Sequence, residues 1–267
     1  MNISTAQLPT RSGDDRVLVA ANGVVLLDGA TAFDPDMPSA SAYVDVLAEE
    51  LNRRLDSSQD LRTVLSDAIA ATAEQLRLQP GQAPSSTVSI LRLNRGNTEV
   101  LVLGDSPVVI GRHNSHDLIA DTRMAELNLP ESEQYRTRLA SGSGYDEHHY
   151  SLLRSLQRRQ RGHRNQPGGY WIAEADPSAA DHAIVANYRL HEIDWVVLAT
   201  DGASTPLGPL NVSWADVAQM NASSLARLLA RCQKWEAEDD PCGRLQPRSK
   251  RHDDKSIVVA RPDSSGQ

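Results

Sequence analysis

Carboxylates stand at the ends of apolar runs in this chain, and their placement is the first chemical signal it offers. Val24-Val25-Leu26-Leu27 leads into Asp28-Gly29, and Trp195-Val196-Val197-Leu198-Ala199-Thr200 leads into Asp201-Gly202. A short continuous apolar run reads as a strand buried on both faces. A carboxylate at its end must be paired, protonated or bound to a cation, because burying a lone charge is costly. Taken alone, Asp28-Gly29 is also an ordinary turn after a strand. The pattern recurs, however: Asp253-Asp254-Lys255 introduces the run Ser256 to Ala260, and Asp14-Asp15 precedes Arg16 to Ala21. Oxygen donors with no His or Cys at metal-ligand spacing select Mg²⁺ or Mn²⁺ over Zn²⁺. Two such ions about 3.5 to 4 Å apart share a hydroxide and stabilise the charge of an in-line displacement at phosphorus. Gly29 lets its carbonyl approach a metal closely.

The elements that must position these groups follow from periodicity. Ile3 to Leu8 reads as a first strand. Arg16 to Ala21 and Val24 to Leu27 flank Asn22-Gly23, which suits a type I′ hairpin turn, and the antiparallel pairing returns Asp28 to Asp14 and Asp15. Residues 41 to 55 place Val44, Leu47, Leu51 and Leu55 on one helical face, and Leu61 to Leu76 forms a second amphipathic helix. Ser86 to Leu93, Glu99 to Leu103 and Pro107 to Gly111 read as a β-meander. The stretch 113 to 169 is polar, with helices at Glu131 to Leu139 and Glu147 to Arg161. Within it Arg154, Arg158, Arg159, Arg161, His163 and Arg164 form a basic run, either a solvated helix face or a docking surface for an acidic, phosphorylated partner. Tyr170 to Ala173 and His182 to Leu190 resume sheet structure. A helix from Ala222 to Trp235 and a charged loop from Glu236 to Arg251 precede the last strand. The strands are expected to pair sequentially as hairpins.

Composition narrows the class. The 267 residues are 40% apolar, enough for a sizeable core. A formal net charge of -8 argues against general affinity for nucleic acid or an anionic membrane. Cys232 and Cys242 have no partners at metal-site spacing and indicate no disulfide framework, so reduced thiols in a cytoplasm are expected. The N-terminus lacks a signal-peptide pattern, and no apolar run approaches a membrane span.

The ordered set Asp14-Asp15, Leu27-Asp28-Gly29, Ser86-Thr87, Leu103-Gly104-Asp105-Ser106, Ala199-Thr200-Asp201-Gly202 and Asp253-Asp254-Lys255-Ser256 resembles the metal-dependent protein phosphatases of the PP2C type. The resemblance implies an α+β fold, a four-layer α-β-β-α sandwich with two central antiparallel sheets flanked by helices. It further implies one domain over residues 1–261, with 125–190 as a variable flap-like excursion and 262–267 as a disordered tail. The implied activity is hydrolysis of phosphoserine and phosphothreonine in proteins by a metal-bridging water. Carried over by position, Asp28 bridges two Mg²⁺ or Mn²⁺ ions, the Gly29 carbonyl binds the second, and Asp201 and Asp253 complete the first. Asp254 also lies within reach of a metal. Asp14 and Asp15 match a pair acting through metal-bound waters, and Arg11 lies one residue from a phosphate-binding Arg. Asp121 resembles a ligand of a third, weaker ion, or else caps a turn; Thr122 replaces the neighbouring His. Ala30-Thr31 follows Asp28-Gly29 where the family has His or Met, leaving no side chain there as leaving-group acid. Gly104-Asp105-Ser106 reads as an architectural turn. The alternative to an enzyme is a catalytically silent binding or sensing module on the same fold.

Overall fold

The computed structural model describes residues 1–10, 13–33, 39–94, 96–113 and 115–262. Arg11, expected near the substrate phosphate, and tail residues 263–267 lie outside the described residues. In chain order the elements are β1 (Asn2–Leu8), β2 (Asp15–Ala20), β3 (Gly23–Gly29), α1 (Ser41–Arg54), α2 (Leu61–Leu76), β4 (Ser86–Asn94), β5 (Asn97–Leu103), β6 (Val108–Arg112) and β7 (Ser115–Ile119). There follow α3 (Arg123–Glu126), α4 (Pro130–Ala140), α5 (Glu147–Arg161), β8 (Ile184–Arg189), β9 (Trp195–Ala199), α6 (Asp201–Ser204), α7 (Trp214–Ala218), α8 (Ala222–Glu238) and β10 (Lys255–Arg261).

Among the described residues the strands form two antiparallel five-stranded sheets, β2-β3-β4-β5-β8 and β1-β10-β9-β6-β7. Alternation along β3 explains why its apolar run is unbroken. Val24 and Leu26 face the second sheet, packed among Val100, Val108, Leu198 and Val258. Val25 and Leu27 face outward onto α1 and α2, meeting Leu47, Leu51, Val64 and Ile69. Strand β9 does the same: Val196 and Leu198 point between the sheets, Val197 and Ala199 onto Leu225, Leu229 and Cys232 of α8. Each buried aliphatic side chain contributes roughly 1.5 to 3 kcal/mol. The result is the four-layer α-β-β-α sandwich that the resemblance implies.

The local expectations fail where they assume that neighbours in sequence pair in space. The run β4-β5-β6 is not a meander: β6 belongs to the other sheet, and Gly104-Asp105-Ser106 is the crossover. Ser106 is stitched to β4, its hydroxyl 2.7 Å from Thr87 Oγ1 and its carbonyl accepting from Ser89 Oγ at 2.7 Å. Period-two alternation reports a buried face but not which sheet carries it. Likewise β1 pairs with β10 across most of the chain, and β5 with β8 across the whole excursion. The first hairpin turns through Ala21-Asn22, with Ala20 opposite Gly23; neither turn residue takes positive φ, so this is not a type I′ turn on Asn22-Gly23. The pairing of β3 with β4 over seven residues sets that register. Tyr170 to Ala173 forms no strand, only isolated bridges, Tyr170 to Arg164 and Ala173 to Ser86.

Helices α3, α4 and α5 form the excursion beside the sandwich. Leu129, Tyr135, Leu139, Leu153 and Leu156 give it a small core of its own. Asp146 caps α5, accepting from His149 N at 2.8 Å. The excursion is fastened to the end of β3 by Gln157, which donates to Thr31 O at 2.8 Å and accepts from Phe33 N at 3.0 Å.

Candidate active site

The ends of β3 and β9 and the start of β10 meet at one end of the sandwich. In the β2–β3 pair Asp15 stands opposite Asp28, so both carboxylates share that end. The second sheet brings Asp201 and Asp253 to it. Asp28, Gly29, Asp105, Asp201 and Asp253 line one cleft of about 550 Å³, walled on its far side by the excursion, with Met124, Tyr135, Arg136 and Arg164 among the lining residues.

Both Asp-Gly steps lack a side chain for a steric reason. A Cβ on Gly29 would stand 2.8 Å from Asp14 O, and one on Gly202 would stand 2.1 Å from Asp254 O. Only glycine permits the strand ends to close on the segments bearing the other carboxylates.

Asp14 and Asp15 are buried behind the cleft. Thr200 Oγ1 donates to Asp15 Oδ2 at 3.1 Å and itself accepts from Ser256 N at 3.0 Å, which joins the two sheets at this end. The pair Asp253-Asp254 is divided in its surroundings. Asp254 is buried and saturated by the N–H and hydroxyl of Thr10 and by Asp14 N at 2.5 Å, and these donors hold its pKa below the ordinary value against the effect of burial. Asp253 faces the cleft, where it forms an ion pair with Lys250.

Charge crowding marks the cluster. Burial, then Asp15, Asp201 and Asp253, pushes Asp28 well above the usual carboxylate range, with Lys250 opposing the shift. Burial, then Asp253 and Asp105, pushes Asp201 up to about 7; its side chain opens to solvent at the mouth of the cleft. Asp15 is likewise pushed up to about 7, first by burial and then by Asp254 and Asp253. A cluster of this kind calls for protons or cations.

The donor set fits a hard divalent ion: oxygen donors, converging from three strand ends, around glycines whose place no Cβ can take. Among the described residues no three His, Cys, Asp or Glu side chains are gathered to hold an ion as they stand.

Asp121 is differently placed. It is buried, clasped by Arg123 Nε at 2.8 Å and Nη2 at 2.5 Å, and it accepts from Gly104 N at 3.4 Å. It supports the crossover and does not line the cleft. Two lining residues escape a sequence reading. Asp105, expected to be architectural, is exposed in the cleft and raises the pKa of Asp201; its signals in sequence were a charge between two apolar strands and its place among the ordered motifs. Lys250 lies in an aperiodic charged loop and gave none. Of the basic run, Arg154 pairs with Glu147, Arg159 with Glu131, and Arg164 donates to Ala83 O at 3.1 Å.

No family model matches the sequence, and no curated protein matches it. Solved structures do. A bacterial serine phosphatase superposes with a TM-score of 0.60 at 13% identity over 100% of both chains. The serine/threonine phosphatase Stp1 from Staphylococcus aureus gives 0.57 at 13% identity, covering 98% of this chain and 95% of that one. The catalytic domain of serine threonine protein phosphatase PstP, in complex with two manganese ions, gives 0.54 at 13% identity over 97% of each chain. The fold is that of the PP2C-type phosphatases.

Proposed function

We propose that this protein is a metal-dependent serine/threonine protein phosphatase, with residues 1–261 acting as one phosphatase domain in the cytoplasm. The observation that carries the reading is the convergence of Asp28, Asp201 and Asp253, from both sheets, in one cleft. The fold it shares with bacterial phosphatases supports the class of reaction. No described helix is long and apolar enough to cross a membrane. Cys232 and Cys242 are both free thiols, which suits a reducing compartment.

Asp28, the Gly29 carbonyl, Asp201 and Asp253 would hold two Mg²⁺ or Mn²⁺ ions. Bound there, such ions polarise a phosphoryl group and lower the pKa of the attacking water. Asp14 and Asp15, buried behind the cleft, would reach such ions only through bound water. Asp254, already saturated by Thr10 and Asp14, holds its loop and is not assigned as a ligand. Arg136 and Arg164 give the cleft wall the positive charge that a phosphorylated serine or threonine segment requires, and Tyr135, Met124 and Leu129 give it apolar contact. Hydrolysis breaks the phosphorus–oxygen bond to the side chain, and the released alcohol takes its proton from water. A third ion on Asp121 would have to displace Arg123.

The test is hydrolysis of an aryl phosphate and of phosphothreonine peptides by metal-stripped protein, with and without Mn²⁺. Release of phosphate that depends on Mn²⁺ and stops with chelator supports the reading. Absence of release at every Mn²⁺ concentration would return the chain to a silent binding module, a reading that the Lys250–Asp253 ion pair favours.

A further inference from the structure

We propose that Lys250 is a resident counter-ion of the carboxylate cluster, which a divalent cation must displace from Asp253 in order to load the site. This rests on the metal-centred reading above and adds to it a determinant of metal affinity.

Lys250 enters the cleft from the segment between α8 and β10. Its ammonium is in an ion pair with Asp253 Oδ1 and donates to Thr31 Oγ1, just past Asp28-Gly29. The side chain is 21% exposed, so its charge is only partly screened. Its field reaches Asp28 and Asp201 as well, opposing the crowding at both.

The loop that presents Lys250 is fixed on both sides. The Ser249 carbonyl accepts from His149 Nε2 of α5 at 2.8 Å. The Arg248 guanidinium donates to Asp240 Oδ2 at 2.6 Å and packs over the rings of Tyr145 and Trp235. Lys250 is therefore held against the cluster by the excursion and by α8 together. The nearby Lys255 cannot do the same work: it is fully buried on Glu236 Oε2 at 2.9 Å and on Asp253 O at 3.0 Å, away from the cleft.

A monocation so placed balances part of the cluster's charge when no metal is bound. A divalent ion brings twice the charge but must break the Asp253 ion pair and the Thr31 hydrogen bond before Asp253 can ligate it. Loading is thereby weakened and made to depend on the free concentration of the ion.

The experiment titrates metal-stripped full-length protein with Mn²⁺ alone in a calorimeter. Lys250→Met should bind Mn²⁺ at one site at least roughly tenfold tighter than the parent, the scale on which one adjacent charge moves a carboxylate. Lys250→Arg, which keeps the charge, should bind like the parent. Metal-free Lys250→Met should melt below the metal-free parent, since the cluster loses its counter-charge. Mn²⁺ bound by the parent but no tighter by Lys250→Met overturns the proposal and leaves the metal-centred function standing. No Mn²⁺ uptake by either overturns both. If Lys250→Met does not fold, Thr31→Val loosens the ammonium without altering a charge; tighter binding there supports the proposal, and unchanged binding overturns it.

Discussion

Two regions of the molecule treat their carboxylates in opposite ways. Behind α8, Asp240 is 1% exposed and fully satisfied: Arg248 Nη1 donates at 2.6 Å, Leu245 N at 2.9 Å and Gln246 N at 3.1 Å. At the cleft, Asp28, Asp201 and Asp253 share the partial neutralisation of Lys250, while Asp15 and Asp105 add to the crowding. The first region is complete as folded. The second has a charge imbalance that only protons or added cations remove. The balance of charge around each carboxylate, and not the number of carboxylates, distinguishes the two regions. Asp121, clasped by Arg123, falls with Asp240 by that criterion.

The comparison is tested most severely at the cleft. Asp28→Asn and Asp201→Asn should each lower Mn²⁺-dependent hydrolysis by about 10³-fold, about 4 kcal/mol of transition-state stabilisation. Circular dichroism should show the fold intact, and the metal-free variants should melt above the parent because like-charge repulsion is relieved. Hydrolysis at the parental rate in Asp201→Asn would remove that carboxylate from the reaction.

At the satisfied site the outcome is reversed. Asp240→Ala strands the Arg248 charge and two N–H groups around a buried position, which should cost about 3 kcal/mol in urea unfolding. Unchanged stability would show that the loop relaxes without its carboxylate.

The smallest effect is in pH. Burial first, then neighbouring carboxylates, raises Asp15 and Asp201 to about 7 from the value of 3.8 that they regain on unfolding. Between those limits the folded chain holds protons that the unfolded chain has lost, so the contribution of both groups to metal-free stability falls as pH rises from about 4 to about 7. The melting temperature of metal-free protein should fall by a few degrees over that window, and saturating Mn²⁺ should abolish the slope. A metal-free melting temperature that climbs from pH 4 to 7 would mean that other groups outweigh the cluster.

How much was legible follows from what each signal encodes. The unbroken apolar runs of β3 and β9 are visible in sequence because strands in the middle of a sandwich bury both faces, and an Asp at the end of each is then conspicuous. The amphipathic helices α1, α2 and α8 are visible because each presents one apolar stripe to a sheet. These local patterns determined the element types and the set of carboxylates worth examining, and the layer architecture followed only from the resemblance that the ordered Asp-bearing motifs carry. Tertiary structure alone decided which of them meet. Sheet membership of β6, the pairing of β1 with β10, the different surroundings of Asp253 and Asp254, and the arrival of Lys250 at Asp253 all depend on contacts between segments far apart in sequence. Periodicity records the environment a residue requires and carries no record of which distant residue supplies it.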